Sequence, residues 1–125
     1  MTNSIAVEFK NVTKAFGDVK AVQNLNFSIE SGQLVTLLGP SGCGKTTTLR
    51  LIAGLEMITE GSVHIGGKDV TKLPATDRDV SMVFQSYALF PHMTVLQNVS
   101  YGLSMSRLPK NEVQEKAIAG LEMVG

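Results

Sequence analysis

The chain has 125 residues, a formal net charge of zero, 43% hydrophobic residues and a single cysteine, Cys43. This length suits one folding unit or part of one, and the balanced charge predicts no nucleic-acid partner. One cysteine excludes an internal disulfide and a multi-cysteine metal site. No apolar run approaches the roughly 20 residues that span a bilayer, so any work at a membrane would need a separate partner.

Five stretches predict β-strands. Residues 5–12 and 21–30 alternate apolar and polar side chains, which predicts a half-exposed antiparallel pair. Residues 33–38, "QLVTLL", are apolar almost throughout, as expected for a central parallel strand that is covered on both faces. Residues 61–65 predict a short strand that ends at a Gly-Gly turn, and residues 80–84, "VSMVF", predict a second buried strand ending at Gln85.

The sequence also predicts one helix, which precedes the strand 61–65, and one polar loop, which precedes the strand 80–84. Gly54 follows apolar residues at helical spacing and supplies a helix end, giving a helix of about three turns. Those apolar residues are Leu49, Ile52 and Ala53. Residues 77–79, Asp-Arg-Asp, form a mixed-charge run that is most simply a solvated loop.

Two further helices are predicted near the end of the chain. Thr94 with Gln97, and Asn111 with Gln114, each have the spacing of a capping box at a helix start. The second of these helices would carry one apolar stripe, formed by Val113, Ala117, Leu121 and Val124.

The strongest motif lies between the predicted strand 33–38 and the first helix. It reads Gly39, Pro40, Ser41, Gly42, Cys43, Gly44, Lys45 and Thr46, which fits G-x-x-x-x-G-K-[ST]. Glycines allow the backbone to wrap around phosphate oxygens, and the helix start adds its positive end. Lys45 would place an ammonium on the terminal phosphates, and the Thr46 hydroxyl would bind Mg²⁺. The motif therefore predicts Mg-ATP binding, since a purely steric turn needs neither side chain.

Three more segments align around this loop: "VTKAFGDVKAV", "LRLIAGLEMITEGSVHIGG" and "RDVSMVFQSYALFPHMTVLQNVSYGL". Together they resemble the ATP-binding subunits of ABC transporters, in particular bacterial importers of the maltose, glycerol-phosphate, polyamine and ferric-ion type. The resemblance runs from about residue 5 to residue 125. It implies an α/β fold, the P-loop NTPase core of ABC ATPases with an N-terminal antiparallel β subdomain, in truncated form. Residues 1–125 would be the N-terminal part of one nucleotide-binding domain.

The resemblance also implies roles for individual side chains. Phe16 matches the aromatic residue that stacks on adenine, whereas by itself it would be a core or turn residue. Residues 39–46, with Thr47, match the nucleotide-binding loop. Gln85 matches the glutamine that reaches Mg²⁺ and the attacking water, so Lys45 and Gln85 would be catalytic and Thr46 and Gln85 would bind the metal. Without the resemblance, Gln85 would be a polar residue that ends a strand.

Partners and location follow from the same resemblance. Residues Ser86–Thr94 match the surface that receives a coupling helix from the permease, and aromatic residues beside a proline suit an exposed patch. The active unit of the family is a head-to-tail dimer with a second ATPase subunit. We expect a peripheral protein on the cytoplasmic face of the bacterial inner membrane, where ATP hydrolysis powers solute import.

Family residues that hydrolyse ATP are absent from these 125 residues. They contain no LSGGQ-type signature, no apolar strand ending in Asp-Glu and no later switch histidine. Uncovered sheet edges and a marginally stable chain are expected as a result. An alternative function is therefore nucleotide binding without turnover. A small P-loop kinase fits less well, because about 30 residues of predicted sheet precede the phosphate loop.

Overall fold

The computed structural model describes residues 4–39 and 44–125. The chain forms two compact units, divided between Met82 and Val83. The first unit contains a four-stranded antiparallel sheet and one helix, and the second contains two helices. None of the described helices is both long enough and apolar enough to cross a membrane.

The sheet of the first unit is built around its first strand. β1 (Ile5–Phe16) and β2 (Val19–Glu30) form a hairpin, and β3 (Glu60–Ile65) pairs with the other edge of β1. The two-residue strand β4 (Lys68–Asp69) completes the order β2-β1-β3-β4. Both the predicted antiparallel pair and the predicted short strand ending at a Gly-Gly turn are confirmed.

The core of the first unit lies on one face of this sheet. Phe9 is only 1% exposed, and its ring centroid lies 4.5 Å from that of Phe27, its cross-strand partner. The buried cluster comprises Phe9, Val12, Val22, Leu51, Val63 and Val70. Leu51 comes from a helix, so the sheet buries its apolar face partly against that element. Full burial of side chains of this size contributes about 1.5–3 kcal/mol each.

That helix, α1 (Lys45–Ala53), confirms the predicted element. Its three consecutive threonines are β-branched and favour a helix only weakly. The Thr48 hydroxyl donates to the Gly44 carbonyl at 2.8 Å, which satisfies a buried polar group inside the first turn. At the other end Gly54 adopts φ +81°, and its N–H donates to the Arg50 carbonyl. The helix therefore ends at this glycine, as the sequence predicts.

Two predicted strands are not strands in the structure. Residues 33–38 and 80–84 have irregular backbone, and Leu34, Leu38 and Val83 are 96%, 91% and 83% exposed. A strand exists only through hydrogen bonds to a neighbouring strand. Within the described ranges, neither segment pairs with any other part of the chain. The predicted burial of residues 33–38 on both faces is therefore wrong as well, because apolar composition does not supply a pairing partner.

The predicted solvated loop at residues 77–79 is wrong at its central residue. A 3₁₀ turn, Ala75–Asp77, leads into Arg78, which is only 6% exposed. Its guanidinium donates to the carbonyl oxygens of Leu51 and Leu73. These buried carbonyl oxygens accept hydrogen bonds from the guanidinium, so the position is favourable for a cation. The sequence around Arg78 does not indicate that such acceptors are nearby.

The second unit consists of α2 (Val95–Met105) and α3 (Lys110–Val124). The predicted capping box at Thr94 is confirmed: its hydroxyl accepts from the Gln97 N–H at 3.1 Å, and the Gln97 side chain accepts from the Thr94 N–H at 2.8 Å. The box predicted at Asn111 is wrong, because α3 has already begun at Lys110, after Pro109. A residue inside the first helical turn cannot act as its N-cap.

The apolar stripe predicted on α3 is confirmed over most of its length. Ala117 is fully buried, and Val113 and Leu121 are half-buried. Val124 is 82% exposed, so the burial of the stripe ends before the last turn of the helix.

Candidate phosphate-binding site

The site is built on the junction between Gly44 and α1. Gly44 has φ +94°, a left-handed conformation that strains other residues, and it is the N-cap of the helix. A Cβ atom at this position would lie 2.7 Å from the Ala21 carbonyl oxygen. The Thr48 N–H also donates to the Gly44 carbonyl at 2.8 Å. Residue 44 must therefore be glycine for the helix to start this close to β2.

Lys45, Thr46 and Thr47 occupy the first three positions of α1. Thr46 is exposed, whereas Lys45 and Thr47 are half-buried. The first N–H groups of a helix have no partner within it, and the helix dipole places partial positive charge there. Together with the Lys45 ammonium and the Thr46 hydroxyl, these groups can bind a phosphate and its metal ion. Pro40, Ser41, Gly42 and Cys43 lie outside the described residues, and exposed Gly39 precedes them.

A cavity of about 430 Å³ lies beside Lys45. It is lined by Leu25, Phe27, Ser28, Ile29, Val35, Thr36, Leu37, Leu38, Lys45 and Thr48. Lys45 is the one charged side chain in that described lining. Apolar walls provide few hydrogen bonds for phosphate oxygens, so this cavity is a poor candidate for the phosphate site itself.

Phe16 is the last residue of β1 and is 47% exposed. The Lys14 ammonium lies 5.0 Å from the centroid of its ring, within the range of a cation–π interaction. Lys14 also approaches the Glu56 carboxylate at 3.7 Å. The sequence analysis missed Lys14, although two residues apart on a strand share a face. An exposed aromatic ring is available for stacking, and the adenine role of Phe16 stays a prediction.

Gln85 belongs to the second unit and is exposed at the start of a turn spanning residues 85–88. The Tyr87 N–H donates to the Phe84 carbonyl at 2.9 Å. Tyr87 and Ala88 follow with φ +65° and +53°, conformations that are uncommon for residues with a Cβ atom. Because Gln85 and Lys45 lie in different units, the predicted role of Gln85 at Mg²⁺ stays a prediction.

The segment Ser86–Thr94 exposes much of its apolar surface. Tyr87 and Leu89 are 76% and 70% exposed. The Phe90 ring is partly exposed at 41%, and its centroid lies 5.0 Å from that of Tyr101 on α2. These side chains form an aromatic and aliphatic surface of the kind found at protein interfaces.

One side chain that the sequence analysis missed organises this segment. The Asn98 side-chain oxygen accepts from the Phe90 N–H at 2.9 Å, and its amide group donates to the Thr94 carbonyl at 2.9 Å. The same amide group donates to the Phe90 carbonyl at 3.3 Å. An asparagine in the first turns of a helix is a weak sequence signal for such contacts. Its side-chain amide can form hydrogen bonds with nearby backbone groups that would otherwise bond to other backbone groups.

The sequence has well-characterised relatives. A family model described as "ABC transporter" matches residues 22–125. The Fe(3+) ions import ATP-binding protein FbpC of Brucella abortus is 67% identical over 120 residues, covering 96% of this chain and 34% of that protein. The spermidine/putrescine import ATP-binding protein PotA of Pasteurella multocida is 48% identical over 122 residues, covering 98% and 33%. The chain thus spans about a third of the length of these relatives.

A solved structure shares the fold. It is a dimeric, post-hydrolysis state of the ATP-binding cassette MJ0796 bound to ADP and Pi, with a TM-score of 0.82 and 33% sequence identity. The match covers 94% of this chain and 56% of that one. The α/β P-loop fold of ABC ATPases, with its antiparallel β subdomain, is therefore confirmed, as is the resemblance to importer ATP-binding subunits. The chain belongs to the ABC transporter family.

Proposed function

We propose that this chain is the ATP-binding part of an ATPase that powers solute import through a membrane permease. The observation that carries the proposal is the left-handed Gly44 at the start of α1, followed directly by Lys45 and Thr46. The relatives named as import ATP-binding proteins support it, because the matched regions cover 96% and 98% of this chain and therefore include that motif.

The residues at the start of α1 fit a triphosphate and its magnesium ion. Gly44 leaves no room for a Cβ atom, and the exposed Thr46 hydroxyl is a hard oxygen ligand of the kind that Mg²⁺ prefers. Lys45 would contact the terminal phosphates, with Thr47 and residues 39–43 completing the loop. Gln85 would be the second magnesium ligand, and Phe16 would stack on adenine. The bound ion would neutralise charge on the phosphates.

Partners are proposed for the exposed segment and for the cassette as a whole. The aromatic surface of Ser86–Thr94 would receive a helix of the permease, since Tyr87 and Leu89 are exposed there. A second ATPase subunit would complete the site, in keeping with the dimeric state of the related cassette. Attachment to the permease would hold the protein at the cytoplasmic face of the bacterial inner membrane.

Titration calorimetry of the 125-residue chain with Mg-ATP tests this function. We expect saturable binding that Lys45→Ala abolishes, because the ammonium on the phosphates is lost. Lys68→Ala removes an exposed lysine from β4 and is the matched control, with unchanged affinity. Failure of the unsubstituted chain to bind, or equal affinity in the Lys45→Ala variant, would contradict the proposal.

A second candidate is nucleotide binding without turnover. It is favoured by the sequence itself, which contains no Asp-Glu pair to supply a general base for water. Measuring phosphate release beside the binding titration separates the two. Binding without release favours the second candidate, and release that is lost in Lys45→Ala favours the first.

A further inference from the structure

Arg78 is a buried cation at the end of α1 opposite to the phosphate site. It is 6% exposed, and its guanidinium donates to the carbonyl oxygens of Leu51, of Ile52 at 3.3 Å and of Leu73 at 2.9 Å. A longer contact of 3.5 Å reaches the Thr71 carbonyl. Two of these acceptors are among the last four carbonyls of α1, which have no partner within the helix.

The charge of Arg78 is balanced by backbone dipoles. Within residues 4–39 and 44–125, no carboxylate lies within salt-bridge distance of its guanidinium. The C-terminal end of a helix carries partial negative charge, which favours a cation there. Burial lowers the pKa of Arg78, yet a guanidinium keeps its proton in proteins. A permanent cation at this place suits a fixed attachment between α1 and the segment 71–78.

The backbone is shaped to admit this guanidinium. Gly54, the residue that ends α1, has φ +81°. A Cβ atom there would lie 2.8 Å from the Arg78 Nε atom and 2.9 Å from the Ala75 N atom. The glycine therefore serves two purposes, since it ends the helix and leaves space for the guanidinium against the helix terminus.

Besides Arg78, the direction of α1 is fixed by the close approach of Gly44 to Ala21 on β2, by Ile52 against the core, and by three buried residues. Its buried residues are Thr48, Leu51 and Ala53, of which Leu51 alone is large. The helix has nine residues and is about 13 Å long, so a tilt at its C-terminal end moves its first residues as well. Lys45 and Thr46 are those first residues. Gly44 fixes where the phosphate-binding groups begin, and their direction depends also on what holds the opposite end of the helix.

We propose that Arg78 is a positioning residue for nucleotide binding, which fixes the axis of α1 and thereby places Lys45 and Thr46 against the phosphates. This inference rests on the proposed function, because it concerns phosphate binding at Lys45. Arg78 does not touch the nucleotide in this role. It acts through the helix, by holding the carbonyls of Leu51 and Ile52 to the segment that contains Leu73.

The test compares Mg-ATP affinity in Arg78→Ala and Arg50→Ala variants of the 125-residue chain. Arg50 lies in the last turn of the same helix, but its guanidinium is partly exposed and pairs only loosely with Glu56, at 3.8 Å. We expect Arg78→Ala to weaken binding about tenfold, a usual size for coupling between separate sites. Arg50→Ala should leave the affinity within twofold. Millimolar methylguanidinium, which can occupy the vacated space, should restore binding to Arg78→Ala and not to Lys45→Ala.

Hydrogen exchange distinguishes positioning from general unfolding. In Arg78→Ala the Thr48 amide should exchange faster, while the Phe9 amide in the core of the sheet keeps its protection. If Arg78→Ala unfolds, Arg78→Lys takes its place, because a lysine keeps the charge and loses the forked geometry. Unchanged Mg-ATP affinity in the folded Arg78 variant overturns the inference while leaving the proposed function intact. Absence of binding by the unsubstituted chain overturns both.

Discussion

β1 and the segment 33–38 are both rich in apolar residues, yet only β1 is a strand. β1 is followed after two residues by its partner β2, and Phe9 meets Phe27 across the hairpin. Residues 33–38 find no partner within the described ranges and leave Leu34 96% exposed. Apolar composition alone therefore neither buries a segment nor makes it a strand, whereas the presence of a neighbouring strand decides whether it becomes part of a sheet.

The largest expected effect on the free energy of unfolding distinguishes Phe9, which lies on a paired strand, from Val83, which lies in a segment without a pairing partner. Phe9→Ala should lower the free energy of unfolding by about 3–5 kcal/mol, because it leaves a cavity in the core. Val83→Ala, in the unpaired segment 80–84, should change it by less than about 0.5 kcal/mol, since Val83 is 83% exposed. Urea unfolding followed by circular dichroism measures both. Equal losses would contradict the contrast drawn between the two regions.

The next largest effect concerns two glycines with different surroundings. Gly44→Ala should destabilise the first unit by about 1–3 kcal/mol, because its φ is +94° and the new Cβ atom would meet the Ala21 carbonyl. Gly102→Ala, within α2, should stabilise by about 0.5–1 kcal/mol, since a Cβ atom there meets nothing within 4 Å. Thermal unfolding of the two variants should therefore shift in opposite directions. A stabilised Gly44→Ala variant would show that the close approach to β2 is unimportant.

A smaller effect is expected at the start of α2. Thr94→Ala removes the hydroxyl that accepts from the Gln97 N–H, and should cost about 1 kcal/mol of helix stability. Ser104→Ala is the control, because the Ser104 hydroxyl donates to the Ser100 carbonyl, which can still accept from its own helix. Amide exchange in α2 measures the difference. Similar exchange in both variants would mean that the capping box contributes nothing.

The smallest effect is a pH dependence at the short strand β4. Hydrogen bonds from the Thr71 hydroxyl and N–H lower the pKa of Asp69. A carboxylate with a lowered pKa stabilises the fold above its unfolded pKa of about 4, and this contribution is lost as the pH falls through the lower, folded value. Asp69→Asn should therefore reduce the loss of stability below pH about 4. Thr71→Ser keeps the donors and should titrate as the unsubstituted chain does, measured by urea midpoints.

Local signals in the sequence predicted several elements of both units. The alternation in β1 and β2, the glycine that ends α1 and the capping box at Thr94 each act over a few residues, so the sequence contains what they need. The strands predicted at 33–38 and 80–84 depend on distant partners, which the pattern of one segment does not reveal. At Asn111 the prediction failed because the N-cap of α3 is Pro109, two residues before Asn111.

The candidate site shows the same division. Gly44, Lys45 and Thr46 were predicted from their spacing, because the conformational demands of a phosphate loop fix the residue types locally. Arg78 was missed because two of its acceptors lie on α1, and Asn98 because the Phe90 backbone that it binds lies eight residues earlier in the chain. Arg78 was assigned to solvent on the basis of its charged neighbours. Two of its partners are carbonyls of α1, which are 26 and 27 residues away in sequence.

The attachment of α1 by a guanidinium has a consequence for the working range of the protein. A histidine in place of Arg78 would lose its charge near neutral pH, and a lysine in the same desolvated place would release its proton more readily than in water. Arginine does neither, so acidification or alkalinisation around neutral pH would leave the helix attachment unaltered. Any change in ATP binding with pH should therefore arise from groups other than this attachment.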